Sequence, residues 1–557
     1  MMPFQPLSPP EGFGKQAMDN GIDIRDADPS PFREEPVAHH TRAMDERPAP
    51  PHPTRLLARL AEFADTLARR PERLLIVFAV YYLAQVGVRL LIPHGLRIDE
   101  AQQVFLAQWL LPGYDAQPPL YNWLQYAVFA VTGDYLLGLA ALKGIVLFAV
   151  MASYYALGCM VLRDRAFAAL GCLALFLTPQ VFWQAQRDLT HTTAMMLLVN
   201  LLMIATVHTI RRPNLTAYLF LGAAIGFGML TKYNFAILVA ALFLAVLLLP
   251  VGRQRLFDRR IMLTAAVALA ILTPHLLWLF NHLDVASSVT AERMAENAEK
   301  ISRGVEILSG TASLLINTAV IAAPGLVLLL AGFGRPLLRA LRARNAWSDF
   351  FLVLLGAVLL LLVLVVLALT FTNFRDRWLL PLMQMVPLLL CLKLKAADLD
   401  GRAALRRVLP AALIIMTLIV PTTYGVGRFN TNADYVEPFD AFGEAFRRQT
   451  GIKTAGLIVT VNWQTAGNLE MEFPGSSVIA TDFSHLRLPF TWRAEHPILL
   501  VWRGSETVPE DLQEWLAKEK GLDASRFAVE TFLAPYTGFR DRLAEAFRYV
   551  IVRPEAQ

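Results

Sequence analysis

The sequence predicts a polytopic α-helical membrane protein of about eleven transmembrane helices, with interfacial helices on its outer side and a small outer C-terminal α/β domain. Three observations predict it. Of 557 residues, 55% are hydrophobic and only 17% are charged, where a soluble domain carries about 25% charge. The deficit concentrates in apolar runs between 74 and 424, each of roughly 17–25 residues and so long enough to cross a hydrocarbon core of about 30 Å as a helix. Lysine and arginine gather in alternate connections, as the positive-inside rule requires.

Residues 1–53 are polar and proline-rich and lack an apolar signal core, so a disordered cytoplasmic tail is expected there. Residues 54–73 read as an amphipathic interfacial helix, with Leu56, Leu60, Phe63 and Leu67 at helical spacing. The transmembrane domain is expected over 74–424, with spans at 74–92, 137–161, 166–183, 189–210, 215–231, 234–250, 261–280, 311–333, 350–372, 378–395 and 408–424. Cys159, Cys172 and Cys391 fall inside spans and read as small core residues.

Orientation follows from the loops. Arg163 and Arg165, Arg211 and Arg212, Arg253 to Arg260, Arg335 to Arg344 and Lys393 to Arg407 mark one side as cytoplasmic. This alternation requires that 119–133 lie in the outer interface rather than cross, and its length is short for a span. Trp109, Trp123, Trp183, Trp278 and Trp378 then map to the outer interface and Trp347 to the inner one. An odd number of spans leaves 425–557 outside. That segment reads as a periplasmic α/β domain, with strands at 455–461, 477–481, 498–502 and 549–553 and helices at 440–449 and 510–520.

The chemistry-bearing residues gather on the outer side. Asp99 and Glu100 open an apparent amphipathic helix in the first outer loop. Asp99 reads either as the cap of that helix or as a general base at the membrane edge. Gln117-Pro118-Pro119-Leu120-Tyr121 follows, with the proline pair fixing where the next helix starts. Asp188 reads as a cap for the following helix or a second carboxylate; His191 lies on the same side, as a buried hydrogen-bonded histidine or an acid/base. Lys232 sits in a tight turn between two spans, snorkelling or holding a phosphate. Arg375 and Arg377 flank Asp376 in another outer turn, as a surface ion pair or as forks for an anionic leaving group. The charged loop 281–310 reads as a solvated helix face or a lid. No glycine-rich phosphate loop, GxSxG, HExxH or Cys/His metal spacing is present. A nucleotide substrate is therefore poorly supported, as is nucleic-acid binding, and a lipid is the expected route for an activated substrate.

Together these segments resemble the C-type membrane glycosyltransferases of the family 39 group, which includes protein mannosyltransferases and the bacterial lipid A aminoarabinose transferase. The matching residues are Asp99-Glu100, Pro118-Pro119-Leu120 with Trp123, Asp188, Thr231-Lys232, and Arg377 before Leu380-Pro381. The run RWLLPL and the stretch TAGNLEMEFPG at 465–475 look closest to bacterial galacturonosyltransferase-like members. Many members have lysine where this chain has Gln117, a position expected near the phosphate or sugar.

The resemblance implies an enzyme of the bacterial inner membrane that moves a sugar from a polyprenyl-phosphate carrier to a hydroxyl of lipid A or another envelope glycan, with inversion. Asp99 would be the base, Lys232 and Arg377 would stabilise the leaving phosphate, and Asp188 and Glu100 would orient sugar hydroxyls or a divalent ion. Gln117, Tyr121, His191 and Arg375 complete the expected substrate site, and no other cofactor is expected. The alternatives are a protein O-mannosyltransferase-like enzyme, or a transporter or flippase for a lipid-linked sugar. A transporter would keep ionisable residues near the bilayer midplane, whereas charges inside these spans are nearly absent.

Overall fold

In the computed structural model the described residues are 55–283, 302–369, 371–430, 434–536 and 544–554. The expected tail at 1–53 and most of the expected lid lie outside them. Helix α1 (Arg55–Arg69) carries the amphipathic stripe. Leu67 is buried while Phe63 is half exposed, and Asp65 forms an ion pair with Arg406 of the Gly401–Phe429 helix. Helix α2 (Leu74–Leu91) is followed by α3 (Ile98–Leu106), α4 (Leu120–Thr132) and α5 (Tyr135–Leu162). At 13 residues, α4 is too short to cross, and it ends on Gly133 in the left-handed conformation.

The expected span at 166–183 is not continuous. Helix α6 (Arg165–Phe176) stops before Pro179, and a π turn (Gln180–Gln184) leads to the short α7 (Ala185–Arg187). The second piece is bent 71° from the first, at a proline that removes a backbone donor. This bend carries Arg187 and Asp188 across the end of the bundle and up to α8 (Thr190–Arg211). Further helices follow at Ile261–Asn281, Arg303–Phe333, Ala346–Leu369, Asp376–Ala396 and Gly401–Phe429.

Among the described residues eight helices are long and apolar enough to cross a membrane, or nine counting the bent pair as one span. The spans expected at 215–231 and 234–250 form helices of only 15 and 14 residues. The three cysteines are free.

The C-terminal segment forms a five-stranded mixed sheet, in the order β2-β1-β3-β5-β4, from β1 (Leu457–Thr460), β2 (Ser477–Ala480), β3 (Ile498–Arg503), β4 (Glu530–Ala534) and β5 (Glu545–Val552). The first three strands are parallel, with Leu457 opposite both Ser477 and Ile498. The last two add antiparallel, with Leu499 opposite Ile551. Strand β4 was not expected from the sequence: it is an edge strand with mostly exposed side chains and an apolar run of only three residues, Phe532 to Ala534.

The boundary expected at 425 is not a break in packing. Phe105, Leu106, Trp109 and Tyr114, from α3 and the loop after it, share one apolar core with Phe442, Leu469, Leu499 and Phe547. Gln108 uses its side-chain amide as a short strand, donating to the Val478 carbonyl and accepting from the Val478 N–H, both at 2.9 Å. This closes the β2 edge. The helix Trp463–Glu472 lies so close to α3 that a Cβ on Gly467 would stand 2.1 Å from the Ala101 carbonyl oxygen; only glycine fits there.

A second tie joins the two parts. Tyr135, the first residue of α5, donates its hydroxyl to Glu470 Oε1 at 3.1 Å, while Oε2 is buried without a partner. Burial pushes the Glu470 carboxyl from 4.5 up to about 7, against the lowering effect of the tyrosine hydrogen bond. The folded protein thus holds this proton more tightly than the unfolded chain, so stability falls as pH rises from about 4.5 to about 7 and stays reduced above. Each unit of such a shift corresponds to ~1.4 kcal/mol. Glu470→Gln should therefore raise the thermal midpoint above wild type at pH 8 and leave the two nearly equal at pH 4.5. Parallel melting curves across that range would refute this account of Glu470.

Candidate active site

The site is assembled around the first turn of α8. Asp99 sits in the first turn of α3, yet the helix it caps is another one: its Oδ2 accepts the Thr190 N–H at 3.2 Å. The local cap expected of Asp99 is supplied by Glu100, whose Oε2 accepts the Arg97 N–H at 3.2 Å. Glu100 is buried and forked by Arg89, with Nε to Oε1 at 2.8 Å and Nη2 to Oε2 at 3.0 Å. Arg89 also donates to the Pro93 and Gly95 carbonyls.

Asp188 does not cap α8 either. Arg97 holds it through Nε at 2.9 Å and Nη2 at 3.0 Å, and the same guanidinium reaches Asp434 at 3.6 Å. Tyr435 lies beneath both arginines, 4.9 Å from Arg89 and 5.6 Å from Arg97. Its carbonyl accepts from Gly95 N–H, and the Asp434 carbonyl is so near that a Cβ on Gly95 would stand 2.5 Å from it. The Asp188 carbonyl accepts from Lys143 Nζ at 2.7 Å. Leu189 follows with φ 68°, in the left-handed region that a branched side chain avoids. The bonds at Asp188 and Thr190 hold it there.

Tyr121 and His191 are buried with ring centroids 5.8 Å apart. Burial, aided by the Asp99 and Glu100 carboxylates, pushes the Tyr121 hydroxyl well above its ordinary range. His191 is the buried, hydrogen-bonded histidine of the first reading, bonded to the Thr231 backbone, while its Nδ1 has no partner among the described residues. Lys232 Nζ donates to Thr192 Oγ1 at 3.0 Å, and that hydroxyl donates to the Arg377 carbonyl at 3.5 Å. Asp376 accepts from Gln180 Nε2 and from the Arg377 N–H, while Arg375 is exposed over the Trp378 ring. Gln117 donates its N–H to Asp115 Oδ1 at 3.0 Å, and its Oε1 is buried without a partner.

Three consecutive residues, Thr190, His191 and Thr192, thus touch Asp99, Tyr121 and Lys232 respectively. A carboxylate and an ammonium share one helix turn whose free N–H groups favour negative charge. The sequence reading missed Arg89, Arg97, Lys143 and the Asp434-Tyr435 pair. The signal for Lys143 was present: it is a basic residue about two turns inside an apolar 28-residue helix. Among the described residues no three His, Cys, Asp or Glu side chains gather so as to hold a metal ion. Glu100 and Asp188 are both engaged by guanidinium groups, so this pair does not fit a divalent ion.

A small cavity of about 30 Å³ opens beside this turn, walled by α2, α5, α7 and the Gly401–Phe429 helix, with Glu100, Tyr121, Lys143 and Thr190 among its lining residues.

A family model described as dolichyl-phosphate-mannose-protein mannosyltransferase matches residues 116–278. The lipopolysaccharide core galacturonosyltransferase RgtB of Rhizobium johnstonii is 37% identical over 465 residues, covering 81% of this chain and 92% of the relative. RgtA of the same organism is 35% identical over 496 residues, covering 86% and 97%. This chain belongs to the lipopolysaccharide core galacturonosyltransferase family. It is accordingly a multi-pass membrane glycosyltransferase.

The fold agrees. ArnT from Cupriavidus metallidurans, in a crystal structure bound to undecaprenyl phosphate, matches with a TM-score of 0.54 at 13% identity, covering 86% of this chain and 97% of that one. Its apo structure matches at 0.50 and 15% identity, covering 86% and 98%. The galacturonosyltransferase family thus carries the C-type membrane fold that the motifs suggested.

The Arg89–Glu100 pair yields a stability prediction for this family member. Glu100→Gln leaves a buried guanidinium without its carboxylate and should cost ~3–5 kcal/mol. Adding Arg89→Met should recover part of that loss. Detergent-solubilised melting of the two single variants and the double variant checks the coupling; additive losses would exclude it.

Proposed function

We propose that this protein transfers a uronic-acid sugar from a polyprenyl-phosphate carrier to a hydroxyl of the lipopolysaccharide core, at the periplasmic face of a bacterial inner membrane. The observation that carries the reading is the single helix turn at which Asp99 and Lys232 meet. The named relatives supply the sugar and the acceptor class, and the carrier in the ArnT crystal supplies the class of donor. The alternating basic loops favour a cytoplasmic N-terminus and an outer C-terminal sheet.

The step follows from the chemistry of the turn. Asp99 accepts one hydrogen bond through Oδ2 and keeps acceptor capacity on Oδ1. The acceptor hydroxyl gives its proton to this carboxylate while its oxygen attacks the anomeric carbon. The bond from that carbon to the phosphate oxygen breaks on the opposite side, so the configuration inverts. The electron pair leaves with the polyprenyl phosphate, whose charge Lys232, the Arg377 guanidinium and the α8 N-terminus stabilise. Tyr121 and His191 wall the sugar, and Asp188 holds the corner that fixes Thr190.

Asp99→Asn retains a side-chain carbonyl that still accepts the Thr190 N–H, so folding should survive. Transfer should fall ~10²- to 10⁴-fold, the usual worth of a general base. Release of free polyprenyl phosphate from a labelled polyprenyl-phosphate galacturonic acid donor measures this; near wild-type turnover would reject Asp99 as the base. Lys232→Ala should raise KM for the donor more than KM for the lipopolysaccharide acceptor. An equal rise in both would place Lys232 outside the phosphate site.

A further inference from the structure

The cavity beside the α8 turn contains more positive charge and more unsatisfied polar groups than the transfer step uses. Its charged lining is Arg89, Glu100, Lys143 and Arg187. Arg89 and Glu100 neutralise each other. The acids within electrostatic reach of Lys143 are Asp99, Asp188 and Glu100, and arginines hold two of those three. Lys143 is 8% exposed, and its one hydrogen bond goes to a neutral backbone carbonyl, leaving two N–H donors. Four other polar atoms of the same lining are buried with no hydrogen-bond partner among the described residues: Tyr82 Oη, Gln85 Oε1, Gln186 Nε2 and Arg187 Nε. Tyr82 and Gln85 are only 2% and 8% exposed. Buried polar groups without partners are costly and uncommon.

We propose that this pocket binds the carboxylate of a uronic-acid sugar, with Lys143 and Arg187 as its cations. The inference deepens the functional reading above and rests on it for the identity of the sugar. A uronate complements the lining group by group. Its carboxylate oxygens accept from Lys143, Arg187 Nε and Gln186 Nε2, while an adjacent hydroxyl donates to Gln85 Oε1 and Tyr82 Oη closes the set. A neutral hexose supplies no anion, leaves two Lys143 donors and Arg187 Nε unbonded and is discriminated against.

The test uses the full chain in nanodiscs and two soluble probes, galacturonic acid 1-phosphate and galactose 1-phosphate. Both carry the phosphate, so the difference between them reports the carboxylate alone. Wild type should bind the uronate about 10- to 100-fold more tightly, the scale of one or two charged hydrogen bonds. Lys143→Met should abolish that preference while leaving affinity for galactose 1-phosphate nearly unchanged, and Lys143→Arg should retain it. Arg187→Gln should weaken the preference without disturbing the Lys143 bond to the Asp188 carbonyl, which keeps the test open if Lys143→Met fails to fold. Equal binding of the two probes by wild type would overturn the proposal. So would an equal loss for both probes in Lys143→Met with the preference intact in Arg187→Gln, which would reduce Lys143 to a support for the Asp188 corner. A preserved uronate preference without transfer from a polyprenyl carrier would instead reject the donor reading and leave this pocket assignment standing.

Discussion

The bond between Arg97 and Asp188 is the constraint on which the site depends. It joins two segments separated by 91 positions in sequence, through two parallel N–H to oxygen contacts at 2.9 and 3.0 Å. A guanidinium is planar, and its Nε and Nη2 make such a fork only with a carboxylate lying near that plane along that edge. Fixing Arg97 against Asp188 therefore fixes the first turn of α3 against the corner that starts α8. Asp99 lies two residues beyond Arg97, and Thr190 two residues beyond Asp188, so their contact follows from the fork. The same guanidinium reaches Asp434 and Tyr435, which brings the start of the C-terminal segment to the same point.

Arg89, Glu100, Arg97 and Asp188 are arranged so that each has an ionic partner, and Asp99 is left for chemistry. Arg89 answers Glu100 and Arg97 answers Asp188, both with bidentate geometry. Burying either pair costs desolvation that the mutual attraction offsets only when the hydrogen bonds are complete. Here two further N–H groups of Arg89 go to backbone carbonyls. Arg97 is held by burial and by the Asp188 carboxylate in opposite directions, and the carboxylate prevails, keeping the guanidinium charged. Among the described residues no guanidinium forms an ion pair with Asp99. Its carboxylate is steadied by one backbone N–H and by the dipole of a 22-residue helix, neither of which takes up its second oxygen.

Much of this was legible in the chain, and the limits have physical causes. Hydropathy finds helices because the bilayer sets their length, and so α2, α5 and α8 fall close to their expected bounds. The same measure overlooks the 71° bend at Pro179, since the residues on both sides of it are apolar. It also overstates the lengths of the helices at 215–231 and 234–250, which run to 15 and 14 residues. In the sheet, β1 and β3 are buried on both faces and read as apolar runs, whereas β4 at the edge does not. At the site, Asp99, Tyr121, Asp188, His191 and Lys232 were visible as polar residues at helix ends. Their partners were not, because Arg89 and Lys143 lie inside apolar helices and Tyr435 comes from a segment more than 300 residues away. A reading by loops assigns chemistry to loops, and here two of the site's charges, Arg89 and Lys143, come from the spans.

Asp99 first reads as either a helix cap or a base, and the structure removes the conflict between the two. A local cap would have tied its carboxylate to the backbone of α3, within its own turn. Glu100 performs that task instead, and can do so because Arg89 holds it in place. Asp99 is thereby released to bond the first N–H of α8, the turn that also carries His191 and Thr192. Removing Glu100 would therefore leave α3 free to recruit Asp99 as its own cap, which would draw the carboxylate away from α8. The bond that positions Asp99 and the bond that frees it are made by different acids, one residue apart.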